Sequence, residues 1–179
     1  MRIISGENKG YILNFPCNLS LRPTTDICRE SLFNILNNIF YFEKLSVLEL
    51  FAGTGSVSFE FASRGCKDII CVDNHFKCIN WIENECTKLG YDFIEAVRAD
   101  ALIYLKNFAA RPFDIIFADP PYDFKNYPEI AEIVFREKLL AEKGWLILEH
   151  DRKNSFKNLP FFCEQRIYGQ SGISIFKNV

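Results

Sequence analysis

Hydrophobic and polar positions follow one repeated unit between residues 46 and 150. Each unit is a short, nearly continuous apolar run, followed by a stretch in which apolar residues recur at helical spacing. The apolar runs are SVLELFAG, DIICVD, FIEAVRAD, FDIIFAD and GWLILEH, and the helical stretches between them are TGSVSFEFASRG, HFKCINWIENECTKLG, ALIYLKNF and PEIAEIVFREKLL. Alternating strands and helices predict right-handed crossovers and a parallel sheet that is covered on both faces.

The N-terminal part of the chain departs from this unit. Two β-rich runs on either side of a turn at 6–10 predict a short hairpin. A helix is expected next, with Thr24 or Thr25 as its cap. Its apolar face repeats at helical spacing and consists of Leu32, Ile35, Leu36 and Ile39.

The C-terminal part also departs from it, because FFCEQRIYG and GISIFKN are joined by a turn at 169–172 that is too short for a helical crossover. We therefore predict an α/β, Rossmann-like fold: a seven-stranded, mostly parallel sheet with a C-terminal antiparallel hairpin and a short N-terminal hairpin-plus-helix extension. The length of 179 residues favours a single domain, with the N-terminal hairpin in 1–23 and the helix and core in 24–179.

Composition and charge narrow the class of protein. Hydrophobic residues make up 49% and charged residues 25%, as in ordinary soluble proteins. An odd number of cysteines without a CxxC pair favours reduced thiols in a cytosolic protein over a metal site. The net charge of −2 is uneven, since 1–30 and 151–179 are basic and the centre is acidic. Basic ends can bind an anionic polymer, or they can simply be solvated.

Candidate chemistry lies where the predicted strands end, because ligands of open α/β sheets bind at the carboxyl ends of the strands. The first strand ends in Glu49 and a turn that contains Gly53 and Gly55, which let the backbone approach a ligand closely. A dinucleotide fingerprint needs a further glycine where Ser58 stands, which weakens that interpretation. The turn can bind a nucleoside that lacks a pyrophosphate, or it can be purely structural, and both interpretations remain open.

The second and third strands end in Asp73 and Asp100. The Asp73 carboxylate can accept hydrogen bonds from a ribose diol, and either acid can instead cap the helix that follows it. Three successive strand ends with acceptors suit a ligand that carries an amine, a ribose and an amino-purine.

The fourth strand ends in Asp119, Pro120, Pro121 and Tyr122. Two prolines make a rigid loop outside the sheet ladder, which fixes the Asp119 carboxylate and the Pro120 carbonyl as acceptors. An exocyclic amine of a nucleobase has two N–H donors, and Tyr122 provides a flat face on which an extruded base can stack. The tetrapeptide therefore favours a site for an amine on a planar base over a simple structural loop.

In this order, the strand ends LELFAGTG, CVD, RAD and ADPPY resemble a class I methyltransferase that uses S-adenosylmethionine. More narrowly, RIISGENKG, RPTTDICRESLFNIL, LELFAGTGSVSFEFASRG, ADPPY and YGQSGISIF together resemble the RsmD-type family of ribosomal RNA guanine-N2 methyltransferases. The likeness extends over almost the whole chain. It is therefore more specific than DPPY alone, which adenine-N6 and cytosine-N4 methylases share.

The resemblance implies methylation of the N2 amine of a guanine in 16S ribosomal RNA, guanine 966 in the family, by a cytoplasmic and monomeric enzyme. Its partner would be ribosomal RNA or the small ribosomal subunit, with no membrane and no metal. The implied catalytic residues are Asp119, Pro120, Pro121 and Tyr122. The implied cofactor-binding residues are Glu49, Phe51, Gly53, Gly55, Asp73, Asn74, Asp100 and Ala101. The RNA-binding residues that we expect are Arg2, Lys9, Arg22, Arg29, Arg152 and Lys153.

The chain departs from the family pattern at two places. Glu49 stands where the family commonly has an aspartate, which is a conservative change. Ile27 replaces a commonly basic residue, and the stretch around Glu7 and Asn8 is less basic than in the family. These losses fall in the expected RNA-facing extension, so they concern affinity or the substrate rather than the chemistry.

Two other functions are consistent with the same motifs. The first is an adenine-N6 methyltransferase that acts on DNA or RNA, because that class shares DPPY. The second is a non-catalytic RNA-binding or ribosome-assembly protein on the same fold, although the intact glycine-rich turn and strand-end acids argue against it.

Overall fold

The computed structural model describes residues 1–15, 26–108, 111–121 and 123–178. Four residues named above therefore lie outside the described residues: Arg22, Thr24, Thr25 and Tyr122.

The described chain forms one seven-stranded sheet with the strand order β3-β2-β1-β4-β5-β7-β6. Strands β1 to β5 pair in parallel, and β7 pairs antiparallel with both β5 and β6. The predicted fold is confirmed. The strands are β1 (Val47–Leu50), β2 (Ile69–Asp73), β3 (Ile94–Arg98), β4 (Phe113–Ala118), β5 (Leu140–Asp151), β6 (Phe162–Tyr168) and β7 (Ser171–Lys177).

Helices cover both faces of the sheet. They are α1 (Asp26–Asn37), α2 (Ser56–Ser63), α3 (Phe76–Leu89), α4 (Ala101–Asn107) and α5 (Tyr127–Arg136), with a 3-10 turn at Phe42–Lys44. One apolar cluster joins α1, α2 and α3 to one face, and a second joins α4 and α5 to the other. Val47 belongs to the first cluster and the next residue, Leu48, to the second, as the two-residue period of a strand requires. Both faces of the central strands are therefore buried.

Two predicted boundaries around the fifth strand were wrong. The helix after β4 was expected to continue to Leu140, but it ends at Arg136, and Lys138 adopts a left-handed φ of 53°. This conformation ends the helix, since left-handed backbone cannot continue it. Strand β5 then begins at Leu140 rather than at Gly144, because Leu140 already pairs with Phe113.

The apolar face predicted for α1 is buried only in part. Leu32 and Leu36 are buried in the first cluster, and Ile35 packs against it from a half-buried position. Ile39 lies beyond the end of the helix and is 51% exposed, so its inclusion in that face was wrong.

The N-terminal hairpin contains a single antiparallel bridge, between Arg2 and Ile12, with backbone bonds on either side of it. It packs on α2 through a buried carboxylate, that of Glu60, which accepts the amides of Ile4 at 2.7 Å and Ser5 at 3.1 Å. Buried carboxylates are tolerated only when hydrogen-bonded or paired, and Arg64 also donates to this one. The hairpin is therefore an integral part of the helical layer.

The tip of the hairpin lies at the far end of α2 from the candidate site. The amide of Glu7 donates to the Ser63 carbonyl at 2.8 Å, and the amide of Asn8 donates to the Ser63 hydroxyl at 3.0 Å. Ser63 is the last residue of α2, whereas the glycine-rich turn precedes the first. About 12 Å of helix separates the two ends.

No helix among the described residues is long and apolar enough to cross a membrane.

Replacing Gly6 by alanine should destabilise the protein more than the same change at Gly10. Both glycines have left-handed φ angles, of 88° and 89°, so each alanine costs about 1–2 kcal/mol in backbone strain. A Cβ at Gly6 would also lie 1.8 Å from the Ser63 carbonyl oxygen, whereas nothing lies within 4 Å at Gly10. We expect Gly6→Ala to lower the unfolding free energy by about 2–4 kcal/mol in urea titrations. Equal losses for the two variants would show that the hairpin does not dock on α2 in this way.

Candidate active site

The candidate site lies at the carboxyl edge of the sheet, where the strand order changes direction. After β1 the chain moves to β2 and β3 on one side, and it returns with β4 on the other side of β1. The loops that follow β1 and β4 therefore leave neighbouring strands in diverging directions. This is the position at which open α/β sheets bind their ligands.

The loop after β1 has a left-handed backbone at three positions. Gly53 and Gly55 have φ angles of 54° and 70°, and Phe51 has a φ of 56° without the freedom of a glycine. Gly55 is also the residue before α2, where a Cβ would approach Ile82 at 3.0 Å. The conformation at Phe51 costs on the order of 1–3 kcal/mol, and such strain persists where surrounding contacts enforce it.

Asp73 connects this loop to the end of β2. One carboxylate oxygen accepts the Gly53 amide at 2.8 Å, and the other accepts the His75 amide at 2.8 Å. His75, rather than Asp73, is the cap of α3, because its Nδ1 accepts the Lys77 amide. Asp73 is half-buried, so its two oxygens lie beside the glycine-rich loop and retain lone pairs for a ligand.

Glu49 is buried beneath the same loop. Its carboxylate accepts the Ser58 amide at 2.9 Å and also the Ser58 hydroxyl, and Ser58 in turn accepts the Cys71 thiol at 2.9 Å. Burial raises the pKa of Glu49 to about 7, against the opposing effect of its bonds to Ser58 and the Val57 amide. The nearby charge of Asp73 makes a smaller contribution to the same upward shift of this pKa.

These contacts explain the residue that replaces the expected glycine. Ser58 lies in the first turn of α2, where its amide and hydroxyl hold the Glu49 carboxylate against the positive end of the helix. In the sequence analysis, Ser58 was noted only because it stands where a dinucleotide fingerprint needs a glycine. A serine nine positions after a buried acid was the signal that could have revealed the pair.

The carboxyl end of β3 is more exposed to solvent than that of β2. Asp100 is exposed and caps α4 by accepting the Ile103 amide at 3.0 Å, and Ala101 is the buried first residue of that helix. Asn74 is exposed after β2, and its carbonyl accepts Arg98 Nε at 3.4 Å. The capping role considered for Asp100 is thus present, and its second carboxylate oxygen remains available to a ligand.

The loop after β4 presents its acceptors at the same edge. Asp119 follows the last residue of β4 and is half-buried, and Pro120 is buried. The Pro121 carbonyl accepts the Phe124 amide at 2.9 Å, which closes a turn. Among the residues that the structure describes, no donor is bonded to the Pro120 carbonyl. Asp119 and Pro120 therefore lie at the carboxyl edge of the sheet, directly after β4, whereas Tyr122 is outside the described range.

An aromatic contact joins the two loops. The rings of Phe51 and Phe124 meet edge to face with centroids 5.3 Å apart, and Phe124 packs in the same way on Tyr127. Such pairs contribute about 0.5–1.5 kcal/mol beyond their buried area, which helps to hold Phe51 in its strained conformation. Phe124 was missed from the sequence, although it directly follows the DPPYD stretch.

The predicted RNA-binding residues occupy three different places. Arg152 and Lys153 are exposed just beyond the carboxyl end of β5, at the edge that holds the candidate site. Arg2 is exposed near the base of the hairpin. Lys9 is exposed at the hairpin tip, at the end of α2 away from the candidate site.

Arg29 was also expected at the surface, and this was wrong. Its side chain is buried, and its guanidinium donates to the Arg2 carbonyl at 2.6 Å. This bond ties α1 to the hairpin, so Arg29 has a structural role that the charge pattern could not distinguish from a phosphate contact.

Most of the cysteine thiols that the structure describes are buried. Burial raises the pKa of Cys66 to about 11 and that of Cys86 to about 12, so these thiols are unreactive. Within the described ranges, no cluster of histidine, cysteine, aspartate or glutamate has the geometry of a metal site.

Comparison with known proteins identifies the family. The family model described as conserved hypothetical protein 95 matches residues 1–177. The chain belongs to this family. YlbH of Bacillus subtilis is 34% identical over 183 residues, with 99% of this chain and 98% of that protein covered. The ribosomal RNA small subunit methyltransferase D of Haemophilus influenzae is 33% identical over 149 residues, covering 82% of this chain and 73% of that protein. The expected RsmD-type methyltransferase is confirmed.

Solved structures agree with this result. The Escherichia coli methyltransferase yhhF superposes with a TM-score of 0.87 at 25% identity, covering 99% of this chain and 97% of that one. An RNA methyltransferase from Salinibacter ruber, in complex with S-adenosyl-L-homocysteine, shares the fold at a TM-score of 0.67 and 10% identity, covering 88% and 94% of the two chains. The fold is that of class I methyltransferases.

S-adenosylmethionine is the cofactor of this RsmD-type methyltransferase, and the site fits it. The left-handed glycines let the loop after β1 approach a ligand without a side chain in the way. Asp73 and Asp100 each keep acceptor capacity at adjoining strand ends, which suits a ribose and an amino-purine. Glu49 is turned toward α2, so it shapes the loop from below.

The raised pKa of Glu49 predicts a specific pH dependence of stability. A carboxyl group whose pKa is higher in the folded than in the unfolded protein stabilises the fold below the unfolded pKa of about 4.3. This contribution is lost as the pH rises through about 7. We expect the unfolding free energy of the wild type, relative to Glu49→Gln, to fall by on the order of 1–3 kcal/mol from pH 4.5 to pH 8.

Urea titrations at several pH values would measure this difference. Glu142→Gln, which changes an exposed glutamate of β5, is the matched control. If the difference in unfolding free energy between the wild type and Glu49→Gln stays constant from pH 4.5 to pH 8, the raised pKa of Glu49 would be contradicted.

Proposed function

We propose that this enzyme methylates the exocyclic N2 amine of a guanine in small-subunit ribosomal RNA, and that the nucleotide is the family site, guanine 966. The observation that carries the proposal is the position of Asp119 and Pro120 beside the cofactor loop, with the two loops joined by the Phe51–Phe124 contact. A methyl donor held by the first loop and an amine held by the second would be adjacent.

The relatives support an RNA substrate. The Haemophilus influenzae protein is named as a small-subunit ribosomal RNA methyltransferase, and its alignment includes most of this chain. The proposed partner is accordingly ribosomal RNA or the small ribosomal subunit, bound by a monomer in the cytoplasm. Arg152 and Lys153 at the site edge, with Arg2 and Arg22, would contact phosphates.

The task of this chain is to place the amine. Guanine N2 is a weak nucleophile because its lone pair is delocalised into the ring. Bound S-adenosylmethionine supplies an electrophilic methyl group on a sulfonium. The Asp119 carboxylate and the Pro120 carbonyl would each accept one N–H bond, which orients the nitrogen lone pair.

Asp119 would also stabilise the positive charge that develops on that nitrogen. It need not be a strong base, since the proton can leave to solvent after transfer. Tyr122 would stack on the extruded base.

The modified nucleoside tests this function directly. Unmodified small-subunit RNA and particles are incubated with the enzyme and labelled cofactor, digested to nucleosides and analysed by mass spectrometry. We expect N2-methylguanosine at one position. N6-methyladenosine as the product would assign the enzyme to the adenine class instead, and binding of cofactor without any transfer would favour a non-catalytic RNA-binding role.

Substitutions of the two aspartates should separate chemistry from cofactor binding. Asp119→Ala should lower kcat by about 100-fold or more, because it removes the acceptor for the amine. Its dissociation constant for S-adenosylmethionine should change little. Asp73→Ala should raise that constant about tenfold or more, since it removes acceptors and frees the Gly53 amide.

Single-turnover rates and calorimetry would measure the two effects. Asp119→Asn keeps one acceptor oxygen and should lie between alanine and the wild type. A kcat near that of the wild type for Asp119→Ala would refute the role of this carboxylate.

A further inference from the structure

A second surface lies at the same edge of the sheet, on the side of β2 and β3 away from Asp119. It consists of Phe76, Lys77 and Arg98 and is called the Phe76–Arg98 surface below. Phe76 begins α3 just after the Asp73 loop, and Arg98 ends β3 in register with Asp73. The Arg98 guanidinium carbon lies 5.9 Å from the centroid of the Phe76 ring.

The aromatic ring of this surface faces solvent. Phe76 is 58% exposed, and Lys77 and Arg98 are exposed beside it. The other strongly exposed phenylalanine of the described chain, Phe161, stacks on Phe135 with centroids 4.1 Å apart. Among the residues that the structure describes, only Arg98 makes an aromatic or cationic contact with Phe76, and this contact is loose, so most of the ring is available.

Ion pairing of the arginines differs between the two edges of the sheet. Toward the opposite edge, Arg64 pairs with Glu60, Arg111 with Asp68, and Arg136 with two glutamates. At the edge of the candidate site, Arg98 and Arg152 form no ion pair with any residue that the structure describes. The guanidinium groups of Arg98 and Arg152 are therefore not engaged by a carboxylate of the described chain, so they can bind a polyanion.

Two carboxylates lie close to Arg98 along the backbone, but neither forms an ion pair with it among the described residues. Asp73 accepts the amides of Gly53 and His75, and Asp100 accepts that of Ile103. Arg98 itself donates only through Nε, to the Asn74 carbonyl, among the described contacts. Its terminal N–H groups can thus form charge-assisted bonds to a phosphate.

We propose that the Phe76–Arg98 surface binds an unpaired nucleotide of the substrate RNA that flanks the methylated base. The base stacks on Phe76, and the adjoining phosphates bond to Arg98 and Lys77. This inference rests on the proposed RNA substrate. It extends the RNA-binding edge across the sheet, so that Asp119 lies between Arg98 on one side and Arg152 on the other.

The spacing of the strands is compatible with one continuous RNA strand. Adjacent strands lie about 4.8 Å apart, so the ends of β2 and β3 are about 10–15 Å from the end of β4. A short single-stranded segment spans this distance when the target base is turned into the site. Duplex RNA would not present a free base to Phe76, so the surface favours a loop or an unpaired junction.

Two pairs of variants of the full-length protein test the inference. Phe76→Leu removes the aromatic face and Phe76→Tyr retains it, whereas Arg98→Gln removes an unpaired charge and Arg111→Gln removes a paired one at the opposite edge. Binding to a labelled small-subunit RNA fragment is measured by fluorescence anisotropy at several salt concentrations, and S-adenosylmethionine binding by calorimetry without RNA.

We expect Phe76→Leu to weaken RNA binding about tenfold and Phe76→Tyr to bind like the wild type. Arg98→Gln should lower the slope of log affinity against log salt by about one, with no comparable change in Arg111→Gln. Cofactor affinity without RNA should be unchanged in all four variants.

Several results would overturn the inference. RNA affinities of Phe76→Leu equal to those of the wild type would exclude stacking. A matching loss of cofactor affinity without RNA would assign Phe76 to the cofactor site. Because RNA binding is measured separately from methyl transfer, a wild-type protein that binds RNA but yields no methylated guanine would contradict the proposed function alone.

Discussion

The two hydrogen bonds of the Asp73 carboxylate are the constraint on which the candidate site depends. One bond reaches the glycine-rich loop after β1 and the other reaches the start of α3, so a single side chain fixes two loops that belong to neighbouring strands. Glu49 supports the same loop from below by holding the first turn of α2. A ligand that meets these loops finds them already arranged, which lowers the entropy lost on binding.

Much of the fold could be predicted from the sequence, because local pattern and global architecture agree. The apolar runs of β1, β2 and β4 are buried on both faces, and their helices follow at the expected places. The acids at strand ends were also identifiable, since topology brings all carboxyl ends of parallel strands to one edge. The failures occurred where tertiary contacts decide, as at Lys138, whose left-handed backbone ends α5 early.

Charge was the least informative signal. Arg29 and Arg152 look alike in sequence, yet one is buried against the Arg2 carbonyl and the other is exposed at the site edge. Lys9 is exposed, but the docking of the hairpin on Ser63 carries it to the opposite end of α2. The three-dimensional arrangement is needed to distinguish a charged side chain that pairs with a neighbour from one that can bind a partner. Arg98 was identified as such a candidate only from its contact with Phe76 in the structure.

The contact between Phe51 and Phe124 joins the loop after β1 to the loop after β4. Phe51 follows the last residue of β1 and has a left-handed backbone, and Phe124 closes the turn that follows Asp119 and Pro120. Because one pair of rings connects the two loops, loss of either ring would loosen both loops and would remove a contact that helps to hold Phe51 in its strained conformation.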